Sequence, residues 1–594
     1  MIASAWPPGL ILILAALPAA LLRGRPRRAW MLLVPVLSLL NMLSLPEGNQ
    51  FLVPFFRQEL VLARVDRLSV VFGIIFHIIA FIANLYALKV EDRFQNAAGL
   101  VYAGAAIGAV FAGDLFTLFV FWEMMTLSAT FLIMARRTEK AMAAGFRYFM
   151  VHVVSGLCLL GGILLQVQAT GTVAFGHIGL GGGLSSWLIF IGFGVNSAWP
   201  LLHFWLPDAY PESTVTGAVF LSAFTTKTAV YVLARAFPGT EALIWIGAAM
   251  TVFPIFFAVI ENNLRRVLSY SLINQVGFMM VGIGIGTELS LNGTVSHAFS
   301  HILYKALLFM SMGAVLHQTG KINATDVGGL YRSMPWTTAF CIVGAASISA
   351  FPLFSGFVSK SMVMEAAALG DLRLVWFLML FASAGVLHHA GIKIPFCAFF
   401  SHDSGIRCKE APPNMLAAMG LTAALCVGIG VYPQPLYSLL PYPTDFQPYT
   451  AGHVISQAQL LLFAALAFAL MLLSGTHPPE IRAINLDVDV LTRKGGRAFY
   501  RLADRSLNAL NAWADEVVSH RLTRRLALFF QRPECSLQRL AFRALAPLVG
   551  NPAWMREQLC LAEARCEHGA HPVGVGVLRA VVLLAVLTIL VLFW

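Results

Sequence analysis

Charge is scarce in this chain. Asp, Glu, Lys and Arg make up only 12% of its 594 residues, about half the share found in a soluble domain. Basic runs with interleaved aromatics are missing, which excludes a nucleic-acid surface. No Gly-rich phosphate loop, CxxC pair or nucleophile elbow occurs, so nothing marks a nucleotide, haem, flavin or iron–sulfur site. No cofactor and no catalytic or redox site of the chain's own is expected, and any enzyme label would belong to a parent complex. The eight cysteines (Cys158, Cys341, Cys397, Cys408, Cys426, Cys535, Cys560, Cys566) are scattered and form no disulfide framework. The N-terminal stretch MIASAWPPGLILILAALPAALL lacks a basic start and is followed by RGRPRR; it reads as a retained first span, not a cleaved signal.

What fills the chain instead is apolar sequence: 58% hydrophobic residues and a mean hydropathy of +0.76. Runs long enough to span a bilayer fall near 8–22, 29–45, 68–88, 97–112, 114–135, 142–167, 184–205 and 214–237. More follow near 240–260, 268–288, 292–317, 336–356, 372–398, 413–432, 455–474 and 575–594, about sixteen in all. The fold class is therefore an all-α multi-pass membrane protein. Basic residues cluster in alternate loops, at Arg23–Arg28, Arg136/Arg137/Lys140, Arg265/Arg266 and Arg407/Lys409, while 168–183 and 433–454 carry almost none. The positive-inside rule makes the basic loops cytoplasmic, both termini external and the location the cell (inner) membrane.

Residues 475–574 break the pattern, with 14 Lys/Arg against 10 Asp/Glu. Within them Phe499, Leu502, Ser506, Leu510, Trp513 and Val517 recur at helical spacing, and Arg497, Arg501, Asp504, Arg505 and Asp515 lie mostly off that stripe. This predicts an amphipathic helix lying along the membrane or along partner subunits; the alternative is a small cytoplasmic helical domain. The expected organisation is a transmembrane core over 1–474, a lateral or cytoplasmic segment over 475–574, and a terminal anchor over 575–594.

The few charges inside spans are the candidate site, since an intramembrane charge costs about 2.5–3.5 kcal/mol on insertion scales. Glu123 sits mid-span; it is a site residue or a structural ion pair, whereas Asp114 at the helix edge reads as a cap. Lys227 follows a proline-interrupted stretch, NSAWPLLHFWLPDAYPESTVTGAVFLSAFTTKTAVY, with no acid within one helical turn. Burial and a nearby carboxylate pull a lysine's proton affinity in opposite directions, which is what a proton carrier needs. His297, His301 and Lys305 stand at i, i+4 and i+8 and so share one helix face. Three protonatable groups there would make a wire, and no acid or cysteine accompanies them to make a metal site. Lys393 lies two residues before Pro395, which breaks its span; His388 and His389, about one turn earlier, either extend the path or pack there. Arg147, Lys321, Lys360 and Arg235 lie at span ends and are expected to snorkel to the interface. The C-terminal Cys560, Cys566, His568 and His571 fit no strong zinc spacing.

Taken together, LFTLFVFWE around Glu123, PLLHFWLPDAYPE from Pro200, TTKTAVYVLAR around Lys227, NLRRVLSYSLINQVGF from Asn263, SHILYKALLFMSMGAVLH from Ser300, FPLFSGFVSK from Phe351 and GIKIPF around Lys393 carry a resemblance. The chain resembles, over roughly 60–430, the antiporter-like subunits of complex I, membrane-bound hydrogenases and Mrp-type multisubunit Na+/H+ antiporters, nearest to the D-type component of the Mrp antiporters. The resemblance implies about fourteen core helices, two inverted repeats, two broken helices, and other membrane subunits as partners. It implies a relay in which a glutamate matching Glu123 pairs with a lysine, the residues matching Lys227, His297 and His301 carry protons onward, and the one matching Lys393 opens to the far side. His203, in the same motif as Pro200, is an accessory candidate. Aligning HFWLPDA places Asn196 where many members have the paired lysine. Either Glu123 finds another cation, the first half-channel is altered, or the coupling differs.

The functional expectation is proton, or cation/proton, translocation within a multisubunit complex. The alternatives are a scaffold subunit with a partly inactive relay, and a proton path energising a redox or carbon-uptake partner.

Overall fold

The computed structural model describes residues 6–56, 58–476, 478–483, 485–531, 533–548, 550–567 and 573–592. They form two compact units, Met1–Asp489 and Val490–Trp594.

The first unit is a helical bundle. It begins with α1 (Pro8–Leu21) and α2 (Gly24–Leu43), then the hairpin β1 (Gly48–Phe55) and β2 (Gln58–Val65), and continues with α3 (Arg67–Tyr86), α4 (Arg93–Phe111), α5 (Leu115–Met134), α6 (Glu139–Thr170) and α7 (Leu184–Asn196). Short α8 (Trp205–Ala209), α9 (Gly217–Ala223) and α10 (Thr225–Ala236) lead to α11 (Glu241–Ile260), α12 (Leu264–Ile285), α13 (Glu288–Thr319), α14 (Pro335–Ile348) and α15 (Ser355–Leu369). Then come α16 (Arg373–Val386), α17 (Lys393–Pro395), α18 (Pro413–Val431), α19 (Gln434–Ser438) and α20 (Ala451–Leu473). Eleven helices among the described residues are long and apolar enough to cross a membrane, which makes this an all-α multi-pass membrane protein.

Polar residues near helix starts serve as caps. Asp66, Asp92, Asp114, Thr138, Asn263 and Thr287 each accept first-turn backbone N–H groups, which have no partner inside the helix. Small residues let backbones approach: a Cβ on Gly247 of α11 would stand 2.6 Å from Val281 N of α12, and one on Gly277 of α12 would stand 2.7 Å from Thr251 N of α11. The centre is α9–α10, α12 and α13, buried nearly all round.

The backbone repeats itself. Asp114 pairs with Ala174 and Asn263 with Asn323. Each starting residue caps the helix that follows it, and each second helix, α6 and α13, has 32 residues and ends on a left-handed glycine, Gly171 or Gly320. The same features thus recur 149 residues on, from Asp114 to Asn263. α4 starts at the end of the bundle that carries the basic loops, where Arg137 pairs with Asp92 at 2.8 Å. α11, its counterpart, ends there, so the second copy is upside down relative to the first.

The hairpin lies at the other end, where Val61 N donates to Asp114 and Arg64 to the Phe175 carbonyl. It falls in a stretch for which the sequence predicts no element.

The second unit begins with α21 (Asp489–Ala514), runs through a π-helical stretch Asp515–Leu522 into α22 (Thr523–Gln531), and continues with α23 (Pro533–Leu545), α24 (Pro552–Glu567) and α25 (Val573–Leu592). α21 buries no residue; Phe499, Leu502, Leu510 and Trp513 are exposed. Cys535 is disulfide-bonded, a bridge that the scattered cysteines do not announce. His568 and His571 lie outside the described residues.

A candidate proton path

Lys227 sits where the central helix breaks. The sequence predicts one helix over 214–237; the chain instead interrupts it at Phe224, between α9 and α10, with φ −97° and ψ −67°. The break releases backbone groups that side chains then satisfy. The Ser222 carbonyl accepts from Lys227 Nζ at 2.6 Å, and Thr225 N donates to the Tyr102 hydroxyl at 3.1 Å. Lys227 is fully buried and, among the described residues, makes no ion pair.

Facing it is α13, which carries His297, His301 and Lys305 on one side, all fully buried. The two imidazole rings are 6.2 Å apart, and Tyr304 stands edge-on to His301 at 5.3 Å. His297 Nδ1 lies 3.3 Å from Ser359 Oγ. Among the described residues, His297 Nε2, both nitrogens of His301 and Lys305 Nζ have no hydrogen-bond partner. Lys227 is close enough to act electrostatically on His297, His301 and Lys305.

The row continues through His389, also fully buried and within electrostatic reach of both Lys305 and Lys393. Here two π-helical stretches, Leu387–Ile392 and Phe396–Phe400, flank α17. Lys393 Nζ donates to the carbonyls of Val259 at 2.6 Å, Glu261 at 2.8 Å and Ala258 at 3.3 Å, and meets Glu480 Oε1 at 2.8 Å. These carbonyls end α11 just before Arg265 and Arg266, so Lys393 lies at the basic-loop end. His388 turns away and packs its ring 5.0 Å from Phe468.

Lys360 and Arg235 depart from the expectation of snorkelling. Lys360 is 3% exposed, its ammonium lies 5.0 Å over the Phe278 ring, and it acts electrostatically on His297. It also lines a cavity of about 510 Å³ with Glu365, Asp445 and His453; α15 carries it toward the end opposite the basic loops. The missed signal was Pro352, in FPLFSGFVSK: α14 stops at Ile348, Ala350 and Leu353 take positive φ, and α15 restarts at Ser355. Arg235 is buried and bonded to Asp66 and the Tyr231 hydroxyl, each at 2.8 Å. Arg147 is half-buried and holds Asp208 at 2.7 and 3.0 Å, whereas Lys321 is exposed.

Glu123 and Asn196 meet the same turn of α6. The Glu123 carboxylate lies against Gly156, in the space a Cβ would fill, and its Oε1 has no hydrogen-bond partner among the described residues. Asn196 Oδ1 accepts from Ser155 Oγ at 3.0 Å, and its Nδ2 has none. Among the described residues Glu123 makes no ion pair, so the alternative in which it finds another cation receives no support. A further α6 residue, His152, is missed by the sequence reading. It stacks on Tyr148 at 3.9 Å, and Tyr148 OH lies 3.3 Å from Thr225 Oγ1, which also contacts Tyr102 OH at 2.6 Å. This hydroxyl cluster stands between the Glu123 end and Lys227. Asp114 is a cap and bonds Thr117 at 2.8 and 2.6 Å.

The first broken stretch is held from below. Arg265, fully buried, donates to the carbonyls of Tyr210, Pro211, Ser213 and Thr214. His203 Nε2 lies 3.2 Å from Asp487 Oδ2, which also accepts from Tyr270 OH at 2.7 Å. Burial works to raise the Asp487 carboxyl, but the His203 and Tyr270 contacts outweigh it and hold it below its ordinary 3.8.

A multi-pass helical membrane core with two inverted repeats, broken helices and a buried row of lysines and histidines is the class defined here. Residues 112–388 match the NADH:quinone oxidoreductase/Mrp antiporter transmembrane family. It is 27% identical over 429 residues to hydrogenase-4 component B of Escherichia coli, covering 64% of each chain. It is 32% identical over 282 residues to the D-type component of the Na(+)/H(+) antiporter of Alkalihalophilus pseudofirmus, covering 44% of this chain and 57% of the relative. The chain thus spans less than two thirds of these relatives' lengths.

Among solved structures, a chain of the Mrp complex from Dietzia sp. DQ12-45-1b superimposes with a TM-score of 0.73 at 22% identity, over 90% of this chain and 62% of the other. A chain of respiratory complex I from Thermus thermophilus gives 0.62 at 23% identity, over 72% and 97%. These likenesses concern the fold.

Proposed function

We propose that this chain moves protons across the membrane as one subunit of a larger assembly, along Lys227, His297, His301, Lys305, His389 and Lys393. The single observation that carries the reading is that these six groups sit buried in one row, each within electrostatic reach of another. Such a row is costly to bury, since a buried charge without an ion partner costs several kcal/mol. Lys360 joins it as the group facing the cavity on the end without basic loops. Glu123, through the α6 hydroxyl cluster, is the first-repeat input. The relative named as part of an Na(+)/H(+) antiporter and the neighbours described as complexes support an ion-exchanging assembly. The uncovered apolar stripe of α21 supports contact with another membrane subunit.

The test is transport in vesicles that contain the whole assembly. Lys227→Ala, His301→Ala and Lys393→Ala should each cut ion-driven pH change by at least about tenfold; wild-type rates in all three would end the proposal.

A second reading keeps the row but makes the first half-channel inactive. It is favoured by the unpartnered Glu123 Oε1 and by Asn196 standing where a cation is expected. Under it, Glu123→Gln leaves transport unchanged while the three variants above abolish it.

A further inference from the structure

Residues 478–483 and 485–488, between α20 and α21, lie across the basic-loop end of the bundle. Their side chains hold it at separate points. Glu480 meets Lys393 at 2.8 Å, Arg482 meets Asp326 at 2.7 Å, Asn485 donates to Glu261 Oε2 at 3.0 Å, and Asp487 meets His203 and Tyr270. A strap that only needed anchoring would have enough in the last three. Its first contact is different, because it places a carboxylate on the last lysine of the row.

The two partners differ in access. The Lys393 side chain is 2% exposed and that of Glu480 is 20% exposed. Lys393 has four acceptors around an ammonium with three N–H bonds, and three of them are backbone carbonyls at the negative end of α11. A route off the lysine needs a titratable acceptor in contact with it and with water. The groups facing Glu480 are Lys393 and Cys397; Glu261, Arg266 and His389 stand around the same lysine. Among these, Glu480 alone has both contacts. Its second oxygen, Oε2, is buried without a hydrogen-bond partner among the described residues, so the exposed fifth of the side chain lies on its other atoms.

We propose that Glu480 is the terminal proton carrier on the basic-loop side, exchanging protons between Lys393 and water. This rests on the row described under the proposed function. In the step toward the basic-loop side the Lys393 N–H bond breaks and a Glu480 O–H bond forms, leaving a neutral amine and a neutral carboxylic acid. The acid then gives its proton to water and returns to carboxylate, and the amine takes the next proton from the row. Transfer from that side onto the row is the reverse.

The experiment uses the whole assembly in vesicles, with transport read as pH change and the strap read by protease cleavage within 478–488. Lys393→Ala is the reference. Glu480→Gln should lower transport tenfold or more without added cleavage; Glu480→Asp should retain most of it; and acetate or formate should restore part of the rate to Glu480→Ala, which a purely structural role would not allow. Wild-type transport in Glu480→Gln with a dead Lys393→Ala overturns this proposal and leaves the row standing. Wild-type transport in both overturns this proposal and takes Lys393 out of the row, and wild-type rates in Lys227→Ala and His301→Ala as well would overturn the row itself. If Glu480→Gln loses transport and also exposes the strap, Arg482→Ala decides. Equal exposure with transport kept supports the carboxylate role, and equal exposure with transport lost overturns it.

Discussion

Lys227 reaches back five residues, across the break at Phe224, to donate to the carbonyl of Ser222 at 2.6 Å. The lysine and the break complete each other: the break frees the carbonyl, and the carbonyl is the ammonium's one hydrogen-bond acceptor among the described residues.

Function and stability should therefore separate at this position. Replacing a poorly paired buried charge by an apolar side chain of similar volume is often neutral or stabilising by about 1–4 kcal/mol. Lys227→Met is expected to raise the melting temperature of the purified assembly or leave it unchanged, while transport is lost. Melting and transport falling together would mean that Lys227 is structural.

At the Glu123 end, Gly156 is the position to fill. A Cβ there takes the space of the carboxylate, while Gly→Ala inside a helix gains about 0.5–1 kcal/mol of intrinsic propensity. If Glu123 feeds the row, Gly156→Ala should reproduce the transport loss of Glu123→Gln with no comparable loss of stability. Full activity in Gly156→Ala, beside an inactive Glu123→Gln, would show that the carboxylate tolerates displacement.

Asn196→Lys restores a cation to the turn that Glu123 shares. Because Ser155 and Gly156 are neighbours on α6, the new ammonium and the carboxylate should couple. A double-mutant cycle on thermal stability with Glu123→Gln is expected to give about 0.5–3 kcal/mol of interaction energy. Strict additivity would place the two groups too far apart to pair.

Arg265 ties the loop 210–214 with a fork that Lys cannot reproduce. Arg265→Lys leaves buried carbonyls without donors, each worth about 1–3 kcal/mol. The expected loss is about 2–4 kcal/mol in a denaturation series, and a change within experimental error would show that the loop is held by other means.

Acidification should loosen the strap at Asp487. Its folded value lies below 3.8, so its contribution is fully present above that value and is lost as pH falls through the lower, folded value. Protease cleavage within 478–488 should stay flat at neutral pH and rise only in strongly acidic buffer, and Asp487→Asn should show the acid-level cleavage already at neutral pH. A pH-independent strap in both proteins would assign the anchoring to Arg482 and Asn485.

Much of this was legible in the sequence because it is local. Apolar runs, Asp and Thr caps, the interruption by Pro200 and the spacing of His297, His301 and Lys305 all depend on near neighbours. The break at Phe224 was not legible, since no Pro or Gly marks it; Tyr102 and Lys227 sustain it from outside the turn. Lys360 was misplaced because the run 336–356 looked continuous, and a restart at Ser355 carries the lysine inward. The strap was unreadable for a related reason. Its five partners lie 87 to 284 positions upstream of the residues that bind them, from Lys393 to His203, and its polar residues looked like the start of the amphipathic segment.

From Lys227 to Lys393 the row contains no carboxylate among the described residues; the first is Glu480. Two like charges 6.2 Å apart, the spacing of the His297 and His301 rings, repel by about 3 kcal/mol at an effective dielectric constant near 20. Each positive charge on the row therefore makes the next one harder to place. Under the proposed function occupancy would then be anticooperative, and the row would work as a queue with few places: a proton entering at one end would push another out at the far end, and no store of charge would accumulate in between.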